Sequence, residues 1–187
     1  GDKVKFRGVL TDEGKPLIGR IVTLLLDHAP VSAKFTGDAG VYQGEIVLPY
    51  RYVSEMTVQA LYYPEGNDIG QYLGSSSPVI PVKVLYYATG LSINVPHTTY
   101  PGRDLLLKGS FDYGNNPVAE ARSLSVYWDG ELAAESTVLP VEGRTTFSLE
   151  LPVSANISPG KHRLTLYVAP RGRYAPAQFV VEVEVIK

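Results

Sequence analysis

Residues Val9–Leu17 read VLTDEGKPL, and Ser110–Val118 read SFDYGNNPV. Each stretch follows a glycine, Gly8 or Gly109, and carries a proline in its eighth place, Pro16 or Pro117. Further landmarks recur in the same order. Gly40-Val41-Tyr42 precedes Leu48-Pro49, and Gly143 and Phe147 precede Leu151-Pro152. An aromatic run then ends in proline, LYYP at Leu61–Pro64 and LYVAP at Leu166–Pro170. Tyr72 and Tyr174 follow, and each half closes on a valine-rich run, Val79–Tyr87 and Phe179–Lys187. Matched landmarks stand about 101–106 residues apart. Conserved order and spacing along one chain are the signature of an internal repeat. The sequence therefore predicts two tandem copies of one domain, 1–88 and 89–187, joined by a short linker with little hinge freedom.

Within each copy the apolar residues alternate. TFSLEL (Thr146–Leu151) sets Phe147, Leu149 and Leu151 against Ser148 and Glu150. HRLTLYV (His162–Val168), MTVQALY (Met56–Tyr62) and PVKVLYY (Pro81–Tyr87) keep the same period. A period of two belongs to strands with one buried and one wet face, hence to antiparallel sheets. Glycine and proline, 18 and 14 residues, punctuate these runs as turns. Gly14 offers the positive φ of a tight turn, and Gly114-Asn115 the same in the second copy. Short strands with regular turns predict an all-β sandwich or barrel. PVAEARS (Pro117–Ser123) and ELAAEST (Glu131–Thr137) contain helix formers but are under two turns long, so edge strand or loop is expected there.

The copies differ at their start. LSINV (Leu91–Val95) precedes Gly109, whereas only seven residues precede Gly8. The first copy is expected to lack its first strand and to offer an open edge for self-association.

Composition narrows the function classes. Lys plus Arg total 17 against 19 Asp plus Glu, with no dense basic run, which disfavours nucleic acid as a partner. Zero cysteines removes disulfides, thiolate metal sites and cysteine nucleophiles. The chain opens on Gly1 without an apolar leader, and is expected to be a piece of a longer polypeptide.

YYPEGNDIGQYLGSSSPVIPVKV (Tyr62–Val84) resembles the C-terminal signature of bacterial and archaeal immunoglobulin-like repeats of extracellular and cell-surface proteins. Thr11–Asp27 with Gly37–Pro49 is also similar to carboxypeptidase regulatory-like β-sandwich modules. The second copy matches more loosely, with a basic turn in VAPRGRYAPAQFVVEVEV (Val168–Val185). The resemblance implies two tandem immunoglobulin-like antiparallel β-sandwiches. It implies extracellular or cell-surface localisation, with other domains of the same parent chain as partners. The implied function is a non-catalytic structural spacer and interaction segment of a larger exported or cell-surface protein. The alternative is a carbohydrate- or protein-binding accessory module beside an extracellular enzyme.

No residue set announces a reaction. His28, His97 and His162 sit apart without ligand spacing, so no metal, cofactor or catalytic residue is expected. GDAG (Gly37–Gly40) and EGNDIG (Glu65–Gly70) gather oxygens but lack the ligand count of a calcium loop, and read as turns. Thirteen tyrosines beside five phenylalanines and one tryptophan suit half-buried strands and recognition surfaces alike. Tyr50, Arg51 and Tyr52 are the candidate ligand patch, and Trp128 is expected in the core. Asn156-Ile157-Ser158 is an N-glycosylation pattern, weakened by Pro159.

Overall fold

The computed structural model describes residues 1–114, 120–142 and 145–187. It is all-β, with two single-turn 3-10 segments and no α-helix among the described residues. The chain divides into two compact units, Gly1–Leu85 and Tyr86–Lys187. The division falls just before the expected linker because Tyr87 is tied into the second unit. Its N–H donates to the Arg173 carbonyl and its own carbonyl accepts from Ala175.

Unit 1 holds β1 (Lys3–Val9), β2 (Thr11–Asp12), β3 (Lys15–Pro16), β4 (Ile21–Leu26), β5 (Ala29–Phe35), β6 (Val41–Val47), β7 (Glu55–Tyr62), β8 (Ser75–Ser76) and β9 (Ile80–Lys83). β1 pairs with β6 in one sheet, and β5-β4-β7 form the other, with β8 and β9 sharing the far edge of β7. Val22, Leu24, Ala60 and Tyr62 from one sheet meet Ile46, Val4, Phe6 and Tyr42 from the other in a single core. Burial of alternate residues therefore folds this unit as two layers.

Unit 2 holds β10 (Gly90–Asn94), β11 (Thr98–Thr99), β12 (Asp104–Asp112), β13 (Arg122–Trp128), β14 (Glu131–Val138), β15 (Thr145–Pro152), β16 (Gly160–Val168) and β17 (Ala177–Val185). Its sheets run β10-β12-β15 and β11-β17-β16-β13-β14. Leu105, Leu107, Phe111 and Leu151 face Leu124, Val126, Leu164 and Leu166 across its core. ELAAEST lies wholly in β14, where pairing with β13 overrides its helix-forming composition. The expected turn residue Asn115 and the landmarks Pro117 and Gly143 lie outside the described residues.

The units share detailed hardware. Gly8 pairs with Tyr42 across β1 and β6, and Gly109 with Phe147 across β12 and β15. In both pairs the ring covers the glycine: an added Cβ would lie 2.1 Å from the Tyr42 hydroxyl or 2.5 Å from Phe147 Cζ. The β4–β5 hairpin turns on Asp27-His28 and the β13–β14 hairpin on Asp129-Gly130, all four with positive φ. Such two-residue turns match the twist of the strands they join. Each hairpin then carries a bulge, between Leu24 and Leu25 and between Val126 and Tyr127. The two bulges are 102 residues apart.

Candidate functional site

The most ordered polar chemistry in each unit surrounds an arginine. Arg122, on the first position of β13, is 1% exposed. Its Nη2 donates to the Ala169 carbonyl at 2.7 Å and the Ala175 carbonyl at 2.9 Å. Nε adds a 3.2 Å bond to Ala169, and Nη1 donates to the Tyr113 hydroxyl. The guanidinium faces the rings of Tyr113 and Tyr174 at 5.4 and 5.7 Å. A planar cation with five donors suits such a cage, because carbonyls and ring faces replace the water it loses. Burial raises the Tyr113 hydroxyl pKa, against the pull of Arg122.

Arg20 occupies the matching place in unit 1, 102 residues earlier, and meets the matching tyrosine: Tyr72 lies 5.9 Å below it. Here the counter-group is a carboxylate. Nη2 donates to Asp68 Oδ1 at 2.7 Å, and Nε stands 2.5 Å from Oδ2 in charge contact without hydrogen-bond alignment. Asp68 is only 6% exposed, and its Oδ2 also accepts from the Tyr62 hydroxyl at 2.8 Å. The bond to Asp68 raises the Arg20 pKa, while burial and then the bond to Asp68 raise that of Tyr62. These bonds commit Asp68, within the EGNDIG turn, to Arg20 and Tyr62.

The hairpin aspartates form a second matched pair. Asp27 Oδ1 accepts from the Thr57 amide and Asp129 Oδ1 from the Arg163 amide, each at 2.8 Å. Asp27 binds Arg51 at 2.5 Å, and Asp129 binds His162 Nδ1 at 2.7 Å. The Thr57 amide chiefly lowers the Asp27 pKa; the His162 bond chiefly lowers that of Asp129 and is the main cause raising His162.

Two concavities lie on these frames. An open groove of about 630 Å³ crosses the outer face of the β11-β17-β16-β13-β14 sheet, lined by Tyr127, Asp129, Arg163, Thr165, Tyr167 and Gln178. Both tyrosines are half-buried. A smaller cleft of about 270 Å³ in unit 1 has Arg20 and Asp68 in its wall, with exposed Phe35 and Tyr63 beside them.

The sequence candidates are dispersed. Tyr50 is 57% exposed and lies against Gly1, Arg51 is held by Asp27, and Tyr52 is half-buried. Asn156 is exposed in the turn after β15, its amide bonded to Ser154 Oγ. Trp128 is half-buried against the unit 2 core, with its ring 5.5 Å from that of His162. His28 and His97 are exposed and far apart in sequence. Among the described residues no three His, Asp or Glu side chains gather where a metal ion could sit.

Sequence reasoning missed Arg20 and Arg122, and Asp27 and Asp129. The signal was present: each pair is separated by 102 residues, as are Tyr72 and Tyr174. The repeat that the glycines and prolines follow extends to these charged residues.

No family model and no curated protein matches this chain.

Proposed function

We propose that the chain is a non-catalytic structural spacer and interaction segment of a larger exported or cell-surface protein, built of two tandem immunoglobulin-like sandwiches. One observation carries this reading. The arginine over a tyrosine, the hairpin aspartate and the bulge recur at a constant 102-residue spacing, and their polar groups are spent on holding the fold. The strand order of unit 2, with a short parallel strand against the last one, agrees with an immunoglobulin-like Greek key. The half-buried Trp128 on β13 fits the same architecture.

Pulling the chain between its termini tests this. A spacer of two units unfolds in two steps, releasing about 310 and about 370 Å of chain at roughly 3.6 Å per residue for Gly1–Leu85 and Tyr86–Lys187. A single cooperative release of the whole length argues against two domains, and turnover in a hydrolase screen argues against a spacer.

A second reading, carbohydrate binding, is favoured by the groove on unit 2. Tyr127 and Tyr167 give ring faces, and the polar ends of Arg163, Thr165 and Gln178 have no hydrogen-bond partner among the described residues. Stacked rings beside unspent donors suit a sugar. Glycan-array binding lost in Tyr127→Ala and Tyr167→Ala, but kept in Tyr50→Ala with Tyr52→Ala, would place the ligand there.

A further inference from the structure

A cleft of about 280 Å³ opens at one corner of unit 2, between its two sheets. Trp128 lines it. One bank is the start of β14, from Glu131 to Ala133, and the other is the end of β15 with Ser154 and Ile157. His162, the third residue of β16, joins the two banks. Its Nδ1 meets Asp129 Oδ2 at 2.7 Å, in the turn that leads into β14. Its Nε2 meets the Ser158 carbonyl at 2.8 Å, in the turn that follows β15.

Both partners can only accept. Asp129 is ionised, its pKa lowered chiefly by the bond to His162, and its other oxygen takes the Arg163 amide. A peptide carbonyl has no proton to give. An imidazole donates from both nitrogens only as the cation. Asp129 is the one carboxylate in reach of the ring among the described residues. Lys161 and Arg163, its neighbours on β16, point to the opposite face, and Val183 stands opposite on β17.

A neutral ring has one N–H and one lone pair, so it can hold only one of the two oxygens. The bridge between the banks then breaks whichever nitrogen keeps the proton. The closed cleft also carries a cost of its own. The Trp128 Nε1–H is buried without an acceptor among the described residues, and an unmet buried donor favours a state that lets water reach it. In unit 1 the same two places in the strand register hold Leu26 and Met56, both apolar and buried.

We propose that His162 is a proton-operated clip: as the imidazolium it holds the β13–β14 hairpin to the turn after β15, and on losing its proton it lets the cleft beside Trp128 open. The bond to Asp129 chiefly raises the His162 pKa, against burial, so the clip is closed in mildly acid solution and opens as pH rises through a value above 6.5. The freed turn carries Ile157, which packs on the unit 2 core while the clip is closed. The inference rests on neither functional reading above.

Three measurements on the intact chain from pH 5 to 9 test this. Nitrogen NMR of the His162 ring should show both nitrogens protonated at pH 5 and one proton released with a midpoint above 6.5. Acrylamide quenching of Trp128, the single tryptophan, should strengthen by roughly twofold across the same midpoint as local opening exposes the indole. Hydrogen exchange at the Ile157 amide, which donates to the Ser154 carbonyl at 3.2 Å, should lose protection over that range once the intrinsic pH effect is divided out. The circular dichroism spectrum should not change, since both sheets stay paired. His162→Gln should make the quenching independent of pH, and Asp129→Asn should lower the midpoint. A ring with one bare nitrogen at pH 5, quenching that does not vary with pH, an unchanged pH dependence in His162→Gln, or loss of the sheet spectrum along with the opening would each overturn the proposal.

Discussion

Unit 1 and unit 2 solve one packing problem in two ways. Both bring an arginine over a tyrosine, Arg20 just before β4 and Arg122 first in β13. Unit 1 leaves the cation one-third exposed and neutralises it with Asp68, whereas unit 2 buries it completely among carbonyls and ring faces. A buried carboxylate partner adds its own desolvation, so full burial with neutral acceptors is a workable alternative when enough oxygens converge. The exposed solution tolerates error; the buried one does not.

The comparison breaks most clearly at the arginines. Arg122→Ala removes the buried donor to the Ala169 and Ala175 carbonyls and the Tyr113 hydroxyl, and is expected to cost about 3–5 kcal/mol. Arg20→Ala strands Asp68 with Tyr62 as its remaining donor and should cost less, about 2 kcal/mol. Urea denaturation separates them, because the single tryptophan, Trp128, reports unit 2 alone. Equal losses would show that the two frames do not differ as described.

The glycines give the next contrast. Gly109→Ala drives its methyl into the Ser92 backbone and should destabilise unit 2 by about 1–3 kcal/mol. Gly8→Ala meets the outer end of the Tyr42 ring, which can swing, and should stay below about 1 kcal/mol in unit 1. Calorimetric melting of both variants checks the order.

The hairpin turns sharpen the comparison further. His28 holds a positive φ of 67° at the turn position that Gly130 fills in unit 2, with a φ of 91°. His28→Gly should stabilise unit 1 by about 1 kcal/mol, and Gly130→His should cost unit 2 a similar amount. Opposite signs in one melting series are the expected result.

The smallest effect is the dependence on pH. The His162 pKa is raised above 6.5, so its bond to Asp129 stabilises fully below about pH 6.5 and is lost as pH rises through the folded value. The Asp129 pKa is lowered below 3.8, so the same contact holds above that value and fails as pH falls through the folded one. Asp27, whose pKa is also lowered, pairs with Arg51 rather than with a histidine, so its contact contributes an acid limb only. Denaturation midpoints from pH 4 to 9 should fall on the alkaline side for unit 2, and His162→Gln should flatten that limb.

Much of the fold was legible because strand burial imposes a period of two. Phe147, Leu149 and Leu151 face the unit 2 core as their alternation requires, and Gly8 and Gly109 stand under aromatic rings because a side chain there would collide. The last strand of unit 1 was overextended, since β9 stops at Lys83 and Tyr87 belongs to unit 2. Pro78 and Pro81 break the valine pattern there, and β8 and β9 replace the single nine-residue β17. The arginine frames stayed hidden because a cation in sequence reads as surface until a fold supplies acceptors from Ala169 and Ala175, some fifty residues away. The grooved face was equally hidden: Tyr127 and Tyr167 line one groove only when β13 pairs with β16.

The bulged hairpins have a consequence for engineering. The extra residue, Val31 in one and Ala133 in the other, sits at the same distance beyond the two-residue turn. Everything after it on the edge strand owes its facing to that one insertion, so deleting it would turn the remainder inside out. Keeping it makes the segments 24–32 and 126–134 transplantable cassettes, and a chimera that exchanges them should fold with each strand still showing its own side to water.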